Sequence, residues 1–154
     1  MGLDHGAWTI LKHLFPAADI PVFQMSIDFY KSPDYHFELA KELNDLRSRG
    51  ILIIGSGNIV HNLGRIEWEE KAKPYDWAEE FDETVKKLIN ERNFNSLVQY
   101  DKLGKSAQLS IPTNDHYLPL LYTLALAGEK ESISYPFEGI QNGSISMRCV
   151  QVGV

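Results

Sequence analysis

A chain of 154 residues, 44% hydrophobic and 23% charged, is long enough to fold as one domain around a sizeable core. Its net charge of -6 and the lack of any basic cluster argue against a nucleic-acid partner. The single Cys149 excludes an internal disulfide, no apolar run reaches membrane-spanning length, and the N-terminus lacks a charged lead followed by an apolar stretch. These totals predict a soluble, cytoplasmic protein in a reducing compartment.

Near the N-terminus, Ile10, Leu11, Leu14 and Phe15 share one helical face that ends before Pro16. Residues 20–27 (IPVFQMSI) read as a strand, with Pro21 implying an unpaired donor near its start. Ser32-Pro33-Asp34 supplies a capping hydroxyl and a first-turn proline for a helix. Phe37, Ala40, Leu43 and Leu46 form its buried stripe, and Arg47, Arg49 and Gly50 mark its end. Residues 51–54 (ILII) show no polar alternation, which predicts a strand covered on both faces, as in parallel sheets. Strand, helix and strand with short joins predict a right-handed parallel crossover.

A polar segment, 64–74, precedes a helix whose stripe is Trp77, Phe81, Val85, Leu88 and Ile89, with Asp76 and Glu79 at capping-box spacing. The acidic residues around that stripe read as a solvated face. Residues 94–103 predict a shorter helix. The stretch 111–119 leads into an apolar helix that runs through Ala127 and closes at Gly128, with Pro119 placing His116 in its first turn. Residues 133–137 and 144–152 read as strands, and Asn142-Gly143 as a turn. The fold class expected is α/β, a mixed and largely parallel sheet flanked by helices.

Two glycine patterns fail as nucleotide motifs. Gly55-Ser56-Gly57 begins a dinucleotide fingerprint, but Val60 stands at the third glycine position. Gly104-Lys105-Ser106 ends like a phosphate loop, yet Gln99 stands where the first glycine belongs. The histidines carry more. His13 and His36 lie in helical patterns and read as surface or packing residues. His5, His61 and His116 lie in loops or at helix starts beside Asp4, Asn62 and Asp115, where catalytic groups gather. A metal-ligating histidine needs a neutral ring whose second nitrogen is held by an acceptor, and a helix N-terminus disfavours the imidazolium. From spacing alone, a metal site and satisfied structural histidines both remain open.

Five blocks occur in order: residues 3–8 (LDHGAW), 55–63 (GSGNIVHNL), 75–78 (YDWA), 112–119 (PTNDHYLP) and 143–147 (GSISM). Together they resemble the C-terminal part of the class III extradiol ring-cleavage dioxygenases, in the DOPA 4,5-dioxygenase branch, over essentially the whole chain. The resemblance implies a non-haem Fe(II) enzyme that opens a catechol ring with O2, and zinc as a competitor at imidazole sites. It implies His116 as a metal ligand and His61 as an acid/base close enough to the metal to ligate it. It further implies His5, with Asp4 beside it, as a second acid/base.

The family's enzymes are longer, and their N-terminal half supplies two more histidine ligands. Residues 1–154 are therefore expected to form the C-terminal part of a catalytic domain, a truncated version of a larger single-domain fold. Its metal site would be incomplete and its activity alone slight. One sheet face would stay apolar and need cover from an N-terminal-half chain or a second copy. The alternatives are a non-catalytic binding or assembly module, or half of a split enzyme completed by a partner.

Overall fold

The computed structural model describes residue 3 and residues 5–153, so Asp4 lies outside the described residues. The helices come in the order α1 (His5–Leu14), α2 (Pro33–Lys41), α3 (Asn44–Ser48), α4 (Asp76–Asn90), α5 (Phe94–Val98), α6 (Lys105–Ser110) and α7 (Leu118–Ala125). Four two-residue strands follow: β1 (Ile133–Ser134), β2 (Ile140–Gln141), β3 (Ile145–Ser146) and β4 (Gln151–Val152). None of the described helices is long and apolar enough to cross a membrane.

The start of α2 is built as its sequence predicts: the Ser32 hydroxyl accepts from the Tyr35 backbone N–H, and Pro33 opens the first turn. Its stripe was expected to continue to Leu46, but the helix breaks after Lys41 and resumes as α3, leaving Leu43 and Leu46 half-buried. Of the surface and packing readings of His36, packing holds. The residue is fully buried, with Nδ1 2.8 Å from the Tyr122 hydroxyl and Nε2 3.0 Å from the Asp28 carbonyl, which ties α2 to α7.

Helix α4 fulfils its stripe, burying Phe81, Val85 and Ile89 against α6 and α5. The expected capping box does not form, because Tyr75 occupies the N-cap and supplies no side-chain acceptor. Leu97, Tyr117, Leu118, Leu121 and Leu124 complete the same core. Each such large apolar side chain contributes roughly 1.5–3 kcal/mol by leaving water. The helix expected over 94–103 is α5 followed by a 3-10 turn at Tyr100–Lys102.

The mixed α/β class holds, but its sheets are small and antiparallel: β1 pairs with β4, and β2 with β3. Asn142 and Gly143 both take left-handed backbone (φ 51° and 72°) and reverse the chain between β2 and β3, as the sequence predicts. Backbone bonds from Met147 to Gly139 and from Cys149 to Phe137 carry this hairpin beyond its named strands. Residues 20–27 and 51–54 belong to neither sheet, so the parallel crossover is not built. Nor are both faces of 51–54 covered: Ile51 and Ile53 are half-buried, while Leu52 is 68% and Ile54 44% exposed. The reason is physical. A strand needs a neighbour for its backbone, and the surrounding helices cover only one side.

Candidate active site

Three short segments meet to form the site. Residues 60–62 run beside β3: Ser146 donates its backbone N–H to the Val60 carbonyl at 2.9 Å, and Asn62 donates to Ser144 at 3.3 Å. An isolated antiparallel bridge pairs His61 with Ile145, and the His61 N–H donates to the Ser110 carbonyl at the end of α6. His61 is thus fixed from two sides through its backbone.

The segment before it, 55–58, lies against the turn that leads into α7. A Cβ on Gly57 would fall 2.1 Å from the His116 carbonyl oxygen, and one on Gly55 2.5 Å from that of Pro119. Neither glycine takes left-handed backbone, so what they supply is close approach rather than unusual dihedrals. That approach lets the Asn58 N–H donate to the His116 carbonyl at 2.9 Å.

His116 does not lie in the first turn of α7, as expected, but one residue before the N-cap, Tyr117. The cause is a tight turn in which the Asn114 carbonyl accepts from both Tyr117 and Leu118, delaying the helix. Tyr117 is itself an anchor: it is 1% exposed, and its hydroxyl donates to the Leu97 carbonyl at 3.0 Å. Burial raises its phenol far above the ordinary range.

This scaffold stacks the His61 and His116 rings, with centroids 3.6 Å apart and planes 9° from parallel. The Asn58 side-chain oxygen lies 3.3 Å from His116 Nδ1, and Asp115 Oδ2 lies 3.7 Å from His116 Nε2. Burial first, and then the His116 charge, lower the His61 pKa below the ordinary histidine value, with Asp115 offsetting only part of that. Burial pushes the Asp115 carboxyl up. Hydrogen bonds from Thr113 and its own backbone N–H, with the nearby histidine charges, outweigh it and hold the carboxyl below its usual range.

The third histidine stands apart. His5 is exposed at the start of α1, edge-on to Trp8 with centroids 6.2 Å apart, and none of the described contacts joins it to the stacked pair. Two open surface depressions, one lined by Arg47, Glu131 and Gly153 and one by Pro33, Gln99 and Lys102, include no histidine. At the stacked rings, by contrast, two nitrogen heterocycles and a carboxylate meet. Asn58 escapes sequence reasoning because an asparagine after Gly-Ser-Gly reads as a turn former. Its only signal is its place three residues before His61.

The residue types of the pair suggest a metal, and the ring geometry decides whether they could share one. A histidine binds a metal through a lone pair in its ring plane, at about 2.0–2.1 Å. Lone pairs in two nearly parallel planes run side by side and do not converge at that distance. As stacked, His61 and His116 do not fit an ion held by both, although either ring could offer one donor. Among the described residues, no group of three or more His, Cys, Asp or Glu side chains could hold a metal ion.

Residues 1–146 match the family described as the catalytic LigB subunit of aromatic ring-opening dioxygenase. The chain is 45% identical to a 4,5-DOPA dioxygenase extradiol of Escherichia coli K12, over 99% of its own length and 57% of that protein's. It is 33% identical to the Beta vulgaris protein of the same name, over 83% of this chain and 47% of that one. A crystal structure of an uncharacterized Escherichia coli K12 protein superposes with a TM-score of 0.91 at 44% identity, covering 99% of this chain and 64% of that one. The chain thus spans about half the length of the curated relatives it matches. On this evidence the chain belongs to the LigB family of aromatic ring-opening dioxygenases.

Proposed function

We propose that this chain forms the C-terminal part of an extradiol dioxygenase catalytic domain and carries the proton-handling side of a pocket for a catechol such as DOPA. The observation that carries this reading is the stacked His61–His116 pair, set between Asn58 and Asp115 in a chain of this family. A ring whose pKa lies below the ordinary histidine value is neutral near pH 7. His61 is therefore free to take a proton from a catechol hydroxyl and to return one as the ring opens. The Asp115 carboxylate beside the pair favours the imidazolium that forms in between.

In this reading His5 and Asp4 are the second acid/base group, a role that requires α1 to be brought over the pocket. The non-haem Fe(II) expected of such an enzyme, or the zinc that competes for it, would take His116 as one ligand. It needs donors beyond the stacked pair. The isolated chain is accordingly expected to open catechols poorly.

Purified protein given ferrous iron, O2 and DOPA or protocatechuate should yield no yellow semialdehyde. Adding the part of the Escherichia coli relative that this chain does not cover should restore turnover, and substitution of His61 by Phe should abolish it. Robust turnover by the isolated chain would overturn the incomplete-site reading. Undiminished turnover by the restored His61→Phe protein would overturn the role of His61.

A second reading has its own observation. Phe23 is 75%, Leu52 68% and Ile54 44% exposed, along backbone that belongs to neither sheet. Exposed apolar segments outside any sheet are typical of surfaces that receive another polypeptide. A non-catalytic assembly module would use the same strip. Light scattering on the chain, alone and with the complementary fragment, separates the cases: binding without restored turnover favours the module.

A further inference from the structure

We infer that Asn58 is a positioning residue that fixes the tautomer of His116, so that Nδ1 carries the proton and Nε2 presents the lone pair. The inference rests on the reading of His116 as a working residue of the site, but its evidence is independent of turnover. An asparagine side chain has one donor end and one acceptor end, and the assignment follows from their partners. The Asn58 Nδ2 group lies 2.7 Å from the Ser146 carbonyl oxygen. A carbonyl only accepts, so the NH2 end must face it, and the reverse orientation would set two oxygens against each other.

Oδ1 is thereby turned to His116 Nδ1, at 3.3 Å. An amide oxygen cannot donate, so a hydrogen bond there requires the proton on Nδ1. The other ring nitrogen faces Asp115 Oδ2 at 3.7 Å, beyond hydrogen-bond reach, so among the described contacts nothing comparable holds a proton on Nε2. Fixing one nitrogen as donor in order to expose the other as base or ligand is how histidines are oriented at catalytic and metal centres.

The amide is itself held by rigid neighbours. Ser146 is 1% exposed; its N–H donates to Val60 and its hydroxyl donates to Asp82 Oδ1 at 2.6 Å. Arg148 closes the chain by donating from Nε to Asp82 Oδ2 at 2.9 Å. The backbone N–H of Asn58 also holds the His116 carbonyl, so a single residue sets both the main chain and the ring of the histidine. The buried Arg148–Asp82 pair is thus connected to His116 through two residues, Ser146 and Asn58.

The test is the nitrogen NMR spectrum of protein labelled with 15N-histidine, recorded at a pH about two units above the ordinary histidine value of roughly 6.5. A His116→Gln variant assigns the signals. Wild-type His116 should show the Nδ1–H tautomer. In Asn58→Leu, the ring should revert predominantly to Nε2–H, the form that an unconstrained histidine favours. In Asn58→Asp, which keeps an acceptor opposite Nδ1, the Nδ1–H form should persist although the bond to Ser146 is lost. A residue serving structure alone would not separate the Leu and Asp variants in this way.

Nε2–H in the wild-type protein, or Nδ1–H retained in a folded Asn58→Leu variant, would overturn the inference. If Asn58→Leu does not fold, the wild-type and Asp spectra decide. The Nδ1–H result in a protein that still opens no catechol after the complementary part of the relative is added would sink the functional reading and leave this one standing.

Discussion

Helix α4 buries Ala78, Phe81, Asp82, Val85 and Ile89, whereas α1 buries none of its ten residues. Both sequences carry an apolar stripe at helical spacing. The difference lies in what each stripe meets: α4 packs on α5 and α6, while Trp8, Ile10 and Leu14 of α1 remain 40–55% exposed. A helical pattern therefore specifies a helix, but burial needs a second surface, and the molecule divides accordingly. Helices α2 and α4–α7, with Ile59, Val60 and the buried Ser144, Ser146 and Arg148, form a packed body, edged by Arg47 and Glu131, that carries the turn containing His116. Residues 5–30 and 51–57 include no buried residue and make up the exposed apolar strip.

The division is tested most strongly inside the body. Phe81 is fully buried against Tyr117 and the rest of the core, so Phe81→Ala should lower unfolding stability by about 3–5 kcal/mol in urea denaturation. A cost under about 1 kcal/mol would mean that the body is not packed as described. The buried ion pair is the next test. Arg148 and Asp82 are 2% and 5% exposed, with Ser146, Glu83 and Glu138 around them. Arg148→Met leaves Asp82 buried without its cation and should cost about 3–5 kcal/mol. Adding Asp82→Leu should recover part of that loss, and a double variant no better than the single would refute the uncompensated-charge account.

A smaller effect is expected where body and strip meet. The atom nearest a new Cβ at Gly57 is a backbone oxygen, which cannot swing aside as a side chain would. Gly57→Ala should cost about 1–3 kcal/mol and disturb the His116 ring signals, since Asn58 is drawn away from the histidine with it. Unchanged stability together with an unchanged His116 spectrum would show that the 55–58 segment does not press on the turn.

How much of this was legible follows the same division. The stripe of α4, the Ser32 cap and the Asn142-Gly143 reversal depend on neighbours within a few residues, and the sequence predicts each of them. The strands at 20–27 and 51–54 do not form, because a strand's partner lies elsewhere in the fold and β-branched composition cannot provide one. At the site, the convergence of His61 and His116 follows from the family resemblance rather than from spacing, since 54 residues separate them. His5 remains apart. The amide of Asn58 was invisible, because its role depends on the Ser146 carbonyl, a backbone group that no residue letter encodes.

Electrostatics give a weaker test at the far edge of the body. The Arg47 side chain, and then the Gly128 backbone N–H, hold the Glu131 carboxyl down at about 2, against an ordinary value of 4.5. Its pKa is lower in the folded state, so its contribution is complete above about 4.5 and is lost as the pH falls from there toward 2. Both partners are about one-third exposed, so screening limits the contribution to about 1 kcal/mol or less. Acid titration of stability should flatten slightly in Glu131→Gln over that window, and identical slopes would remove the pair from the account.

The smallest expected effect is the most informative about the strip. Phe23 is 75% exposed, so truncating it removes little that folding had buried, and Phe23→Ala should change stability by no more than about 0.5 kcal/mol. Measuring this at two protein concentrations, tenfold apart, sharpens the comparison. If the strip is bare in solution, the small value holds at both concentrations. If a second copy covers it, the wild-type protein should gain stability with concentration and Phe23→Ala should lose that gain, because association contributes to stability by mass action. A concentration-independent loss above about 1 kcal/mol would instead place Phe23 in the fold of a single chain, and the contrast between α4 and α1 would no longer extend to this segment.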